Sequence, residues 1–246
     1  MIHSFLLIGQ SNMAGRGFLN EAPEIDTSRI YTLRNGRWQP MFRPINPDRS
    51  FSGTNLAESF AEAYAKKYNV DVGLICCADG GTKLNQWEKG SILFENAVNQ
   101  AKLAKRTSVI KGILWHQGEG DCPLEFRTTY ADRLKVFIKD LREATELYDV
   151  PFIAGGLGDF LTLYNETMKN YFYINEALQS VVESDETLGF VSAKGLGANP
   201  DNLHFNAKSL YEFGIRYFEE FEKFDKKDET EINLENDSKR SEIEAL

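Results

Sequence analysis

An α/β fold with a mainly parallel sheet covered by helices on both faces is predicted by three observations. Short apolar runs of strand length alternate with longer stretches of helical periodicity from residue 2 to about residue 224. The runs read as buried strands, the kind that crossover helices enclose in the middle of a domain. Small, polar and ionisable residues gather where those runs stop, which is where open α/β sheets place their ligands.

Taken in order, Phe5-Leu6-Leu7-Ile8 is the first buried strand; it stops at Gly9, and Ser11 follows two residues later. Residues 29–33 and 37–41 pair around Asn35-Gly36, a strong hairpin-turn signal. Residues 44–53, rich in Pro, Asn, Asp and Ser, make a loop. A helix over 55–68 carries Leu56, Phe60, Ala63 and Tyr64 on one face, with Thr54 or Asn55 as its cap. The strand over 70–78 ends in Asp79-Gly80-Gly81-Thr82. A helix over 94–104 leads to a strand over 109–115, which ends in His116-Gln117-Gly118-Glu119-Gly120-Asp121. One long helix over 124–147 follows, striped by Tyr130, Leu134, Phe137, Ile138 and Leu141; Pro123 starts it and Asp121 caps it. A strand over 151–157, a helix over 171–182, a short strand over 188–192, a loop over 195–202 and a helix over 206–224 complete the body. The domain therefore spans 1–224, and 225–246 is an acidic tail, either solvated or docked through Ile232, Leu234, Ile243 and Leu246.

The 246 residues suffice for one α/β domain with a sizeable core. Hydrophobic residues make up 42% and charged residues 26%, as in ordinary soluble proteins. The net charge of −9 argues against nucleic acid and anionic membranes as partners. The tail holds eight acidic and four basic residues, so −4 of that charge is local and −5 belongs to the body. Cys76, Cys77 and Cys122 are odd in number and two are adjacent, which fits a reducing compartment better than a disulfide framework. The apolar run near Met1 is too short for a signal peptide or a membrane span, so a cytoplasmic location is expected.

Four loops carry residues suited to acyl transfer, which needs a nucleophile, a base, a group that orients the base, and donors for an oxyanion. Ser11 is the candidate nucleophile; read alone, a Ser-Asn pair after a strand caps a helix or closes a turn. Its surroundings lack the G-x-S-x-G elbow, because Met13 holds the last position. His204 is the candidate base, and Asp201, three residues earlier, reaches the far ring nitrogen if the segment turns tightly. The backbone N–H groups of Ser11 and Gly81 and the side-chain amide of Gln117 are the candidate oxyanion donors. Gln10, Asn12, Arg16, Trp87 and Asp159 are candidates for lining the acyl or sugar site, with packing as the competing role for Trp87.

His116, Glu119, Asp121 and Cys122 match no standard zinc spacing, and Gly155-Gly156-Leu157-Gly158 lacks the dinucleotide-loop spacing; no metal and no cofactor are expected. His116 reads as a structural hydrogen-bonding residue, with a second catalytic base as the competing role.

Gly-Gln-Ser-Asn-Met-Ala-Gly at 9–15, Gly80-Gly81, His-Gln-Gly-Glu-x-Asp at 116–121 and Asp-x-x-His at 201–204 stand in that order. The set closely resembles the sialate O-acetylesterase-like and carbohydrate esterase family 6 (acetylxylan esterase) branch of the SGNH hydrolases, over about 2–224. The resemblance implies a flavodoxin-like three-layer α/β/α sandwich and cofactor-free serine esterase chemistry on O-acetyl groups. It implies Ser11 as nucleophile, Gly81 as oxyanion glycine, and Asp201 with His204 as the rest of the triad. Gln117 takes the place that asparagine holds in the wider superfamily. Gly120 stands where Ser or Ala is common. For some members a glutamate at the Glu119 position has been proposed to replace or supplement the aspartate, so both Asp201 and Glu119 stand as candidates for orienting His204. The expected partner is a small acetylated molecule such as a sugar. A short-chain lipase or thioesterase on the same fold, and a non-catalytic carbohydrate-binding protein, are the alternatives.

Overall fold

A computed structural model describes residues 1–224 of the chain; the expected acidic tail, 225–246, lies outside the described residues. Seven strands form one sheet: β1 (Ile2–Gly9), β2 (Ile30–Arg34), β3 (Arg37–Pro40), β4 (Val72–Cys76), β5 (Ser108–His116), β6 (Phe152–Gly155) and β7 (Leu188–Val191). Their order is β3-β2-β4-β1-β5-β6-β7. Only β2 and β3 pair antiparallel, through the Asn35-Gly36 turn, whose φ angles of 50° and 74° are those of a tight hairpin. The helices are α1 (Ser11–Ala14), α2 (Leu56–Tyr68), α3 (Ile92–Ala104), α4 (Leu124–Arg127), α5 (Tyr130–Thr145) and α6 (Tyr171–Val182), with a final helix, α7, over 207–224.

Side-chain alternation along the strands separates the two helical layers. Phe5 of β1 meets Phe60 and Tyr64 of α2 and Phe221 of α7 on one face. Trp115 of β5 meets Phe137 of α5 on the other, where Phe94 of α3 also packs on Phe137. Phe5, Leu6, Leu7 and Ile8 are each fully buried, and burial of such side chains stabilises by roughly 1.5–3 kcal/mol apiece relative to exposure. Because β1 lies between β4 and β5, and the chain runs outward in both directions from it, the carboxyl end of β1 is the switch point of the sheet.

Two elements depart from expectation. The single helix over 124–147 is broken into α4 and α5 at Thr128 and Thr129, whose hydroxyls donate to Leu124 O and Phe126 O and draw the backbone out of the ladder. Asp121 caps neither: it is fully buried and accepts from Leu84 N, Gln117 Nε2 and Arg133 Nη2. Elsewhere Asn55 caps α2 in a capping box with Glu58, which binds the start of that helix to the loop before it.

Helices α2 and α7 touch backbone to backbone at Gly214, where an added Cβ would stand 2.0 Å from Leu56 O and 2.1 Å from Ser59 Oγ. Gly214→Ala is therefore expected to push the helices apart and cost about 1–3 kcal/mol, lowering the melting temperature by roughly 2–12 °C in a domain this size; thermal unfolding followed by circular dichroism measures it.

Candidate active site

Ser11 follows the carboxyl end of β1 and opens α1, so its hydroxyl is set by the central strand of the sheet. Gly9 makes the approach to β5 possible: its φ is +135°, and a Cβ there would lie 2.1 Å from His116 O. Ser11 Oγ is 3.0 Å from His204 Nε2 although 193 positions separate them. On the far side of the ring, Asp201 Oδ2 lies 2.7 Å from His204 Nδ1. Asp201 Oδ1 accepts the backbone N–H groups of Leu203 and His204. These bonds, with Asn202 in the left-handed region at φ 53°, make the tight turn that lets a carboxylate reach a histidine three residues later. Partial burial pushes the Asp201 carboxyl up, but the His204 N–H, the His204 ring and the Leu203 N–H outweigh it and hold the group below its ordinary range.

Gly80 and Gly81 stand beside Ser11: a Cβ on Gly80 would come 2.4 Å from Arg16 Nη2 and 3.4 Å from Ser11 Cβ. Among the described residues, neither the Ser11 nor the Gly81 backbone N–H has a protein acceptor. A cavity of about 350 Å³ opens over them, lined by Ser11, Gly81, His204, Glu119 and Gln10 and rimmed by Phe51, Tyr164, Met168 and Leu203.

The loop over 44–53 holds this arrangement through Asp48. Arg16 grips Asp48 with both guanidinium nitrogens, at 2.9 and 2.7 Å, and both side chains are about 95% buried. Asp48 also accepts Gly80 N and Ser52 Oγ. Burial raises this carboxyl, yet the Arg16, Ser52 and Gly80 donors together keep it below the usual carboxylate range. Nothing in the sequence marks Asp48, Phe51, Tyr164 or Met168: they sit in ordinary loop composition, and only the folded chain brings them to β1. Arg49 adds bonds to Asp79 Oδ1 and Gly80 O.

Several expected site residues have other roles. The Gln117 amide does not face the cavity: it is fully buried, and its nitrogen donates to Gln10 Oε1, Thr82 O and Asp121 Oδ2 while its oxygen accepts the Tyr130 hydroxyl. It braces the residues next to Ser11 and Gly81 and leaves no free N–H for an oxyanion. Trp87 cannot stack on a sugar, because it is fully buried against Trp115 and Phe137 with its indole N–H on Thr82 Oγ1. Asn12 is committed to Glu119, Leu203 and Phe205, all within the protein. Arg16 and Gln10 do line the cavity, while Asp159 is exposed and bonds Gly195 N instead. Glu119 lines it too, but its Oε1 accepts Asn12 Nδ2 at 2.5 Å and the His204 ring nitrogens are taken by Asp201 and Ser11.

His116 is fully buried with Nε2 on Gly156 O, and burial lowers its basicity, so it stays neutral. All three cysteines are free, and burial pushes Cys76 and Cys122 up to about 12, far from a thiolate at neutral pH. Among the described residues no group of three or more His, Cys, Asp or Glu side chains is placed to hold a metal ion.

Comparison with known proteins assigns the family. Residues 1–223 match the model of a family described as carbohydrate esterase, sialic acid-specific acetylesterase. The chain belongs to that family. As a member of this carbohydrate esterase family it is a carboxylic ester hydrolase. It is 29% identical over 237 residues to a probable carbohydrate esterase of Arabidopsis thaliana, with 86% of each chain covered. The solved structure of that plant protein superposes with a TM-score of 0.79 and 27% identity, covering 89% of this chain and 97% of that one. NanS superposes at 0.73 with 15% identity, covering 92% and 98%. A lipase/acylhydrolase of Enterococcus faecalis superposes at 0.56 with 12% identity, covering 89% and 95%. The last two show the shared SGNH-type fold, to which the three-layer sandwich of this carbohydrate esterase conforms.

Proposed function

We propose that this carbohydrate esterase removes O-acetyl groups from a sugar through a Ser11–His204–Asp201 triad. The observation that supports it most is the unbroken line of contacts from Asp201 Oδ2 through both His204 nitrogens to Ser11 Oγ. His204 Nε2 takes the Ser11 proton as Oγ attacks the acetyl carbonyl carbon, and the carbonyl oxygen becomes an oxyanion. The N–H groups of Ser11 and Gly81, which have no acceptor among the described residues, donate to that oxygen. Collapse of the tetrahedral intermediate expels the sugar oxygen, which receives the proton from His204. Water then gives a proton to Nε2, its oxygen attacks the acyl carbon, and acetate leaves as Ser11 Oγ regains its proton. The cavity is of a size for a small acetylated ligand, and the exposed Phe51 and Tyr164 rings at its rim suit the apolar face of a sugar.

The test is acetate release from a panel of O-acetylated sugars, with fluorophosphonate labelling of wild-type protein and of Ser11→Ala. Rapid labelling confined to the wild type, with acetate release, is expected; an unlabelled wild-type protein that releases no acetate would end the proposal. The apolar rim also favours a second reading, a short-chain lipase or thioesterase. An acyl-length series separates them: rates highest for C2 fit deacetylation, and rates rising towards C6 or C8 fit the rival.

Asp201→Asn is expected to lower kcat by about 10⁴-fold with little change in fold, because an amide selects the wrong imidazole tautomer. Steady-state kinetics beside a melting curve measure both.

A further inference from the structure

We propose that Glu119 is a positioning residue that acts on His204 through Asn12, and not as a carboxylate partner of the imidazole; this rests on the esterase reading above. Asn12, next to Ser11 and 1% exposed, makes three hydrogen bonds inside the protein, two as donor and one as acceptor. Its Oδ1 accepts Phe205 N at 3.0 Å, and its Nδ2 donates to Leu203 O at 3.2 Å and to Glu119 Oε1 at 2.5 Å. The two residues that flank His204 in the chain are thus pinned to the residue that follows Ser11.

An asparagine amide can be turned over at almost no cost to its shape, and only its partners decide which end points where. Leu203 O requires an N–H and Phe205 N requires an oxygen. Glu119 Oε1 adds a third constraint of the same sense, since the flipped amide would set two oxygens against each other. Glu119 therefore fixes Asn12, Asn12 fixes the backbone at Leu203 and Phe205, and that backbone sets the height of the His204 ring over Ser11 Oγ. The rest of Glu119 is not spent on the imidazole. Among the described residues its buried Oε2 has no hydrogen-bond partner, and the imidazole nitrogen within 4 Å of its Oε1 is Nδ1 of His116, at 3.8 Å and likewise unpartnered. Both nitrogens of His204 are occupied by other residues. What Glu119 supplies is an acceptor at one point in space, a task that glutamine also performs.

The experiment compares Glu119→Ala, Glu119→Gln, Asn12→Ala and the Asn12→Ala/Glu119→Ala double variant, reading kcat, KM and the pH–rate profile for acetate release from 4-nitrophenyl acetate. A displacement of about 1 Å at a base costs on the order of 10²-fold, so Glu119→Ala is expected to lose about that much in kcat with KM little changed. Glu119→Gln is expected to recover to within about fivefold of wild type and to keep the shape of the profile. The double variant is expected to be no slower than Asn12→Ala alone, because both lie on one chain of contacts. A folded Glu119→Gln protein as slow as Glu119→Ala would overturn the proposal, since the charge would then matter and not the acceptor. Losses that multiply in the double variant would overturn it as well. Should Glu119→Ala or the double variant unfold, the isosteric Glu119→Gln protein decides alone: a rate within about fivefold of wild type supports the proposal, and a loss on the order of 10²-fold overturns it. Failure of the esterase reading looks different: wild-type protein and Ser11→Ala would then release acetate equally.

Discussion

Ser11→Ala is expected to lower the rate of acetate release by about 10⁵–10⁶-fold, and His204→Ala by a comparable factor. In the proposed mechanism the serine hydroxyl oxygen bonds the acyl carbon, and among the described residues His204 is the side chain hydrogen-bonded to it that would take its proton. Residues that act as a unit give losses that do not add, so the double variant should be no slower than either single one. Among the described residues the side-chain hydrogen bond of Ser11 Oγ is with His204, so folding should be untouched. Single-turnover kinetics and melting curves on the three variants are the measurement. A Ser11→Ala protein that keeps a tenth of the wild-type rate would remove the serine from the mechanism.

Asp48→Ala should produce the largest loss of stability. The Arg16 guanidinium would remain about 95% buried with its counter-charge gone, and the Gly80 N–H and Ser52 hydroxyl would lose their acceptor. Removing one member of such a pair typically costs about 3–5 kcal/mol, or roughly 6–20 °C in melting temperature at this chain length. Activity should fall with it, because Gly80 and Gly81 are held against Ser11 by the same carboxylate. A pH signature accompanies the loss. The Asp48 carboxyl is held below its ordinary range in the folded protein, so its contribution is complete above the unfolded carboxylate value of about 4. That contribution disappears as pH falls through the lower folded value. Asp48→Asn should therefore flatten the acid limb of the stability curve below about pH 4. Denaturant unfolding at a series of pH values measures this, and a limb as steep as that of the wild type would exclude Asp48 as its source.

Strand and helix positions were legible because apolar periodicity reports burial directly, and the sheet order leaves these strands buried on both faces. The helix over 171–182 and the Asn35-Gly36 hairpin were readable from local chemistry alone. The Asp-x-x-His spacing carried more than composition could, since within a loop a tight turn brings those two side chains together. Side-chain direction in loops was not legible. Gln117 turns inward because Gln10, Thr82, Asp121 and Tyr130 surround it, and those residues come from four different segments. Trp87 reads as an amphipathic ring in sequence, yet the Trp115 and Phe137 rings that enclose it lie 28 and 50 positions further on. Asp48 had no local signal at all: its importance lies in Arg16 and Gly80, each 32 positions away.

The 193-residue gap between the hydroxyl and its base also has a kinetic meaning. Closing so long a loop is costly before the contacts that reward it exist, and chains rich in distant pairings reach the native state slowly. Ser11 follows a strand that pairs with β4 on one side and β5 on the other, so its place is fixed once those pairings are made. Regained turnover during refolding is thus a late event, a clock for completion of the whole domain, while fluorescence from tryptophans in the half-built core would recover earlier.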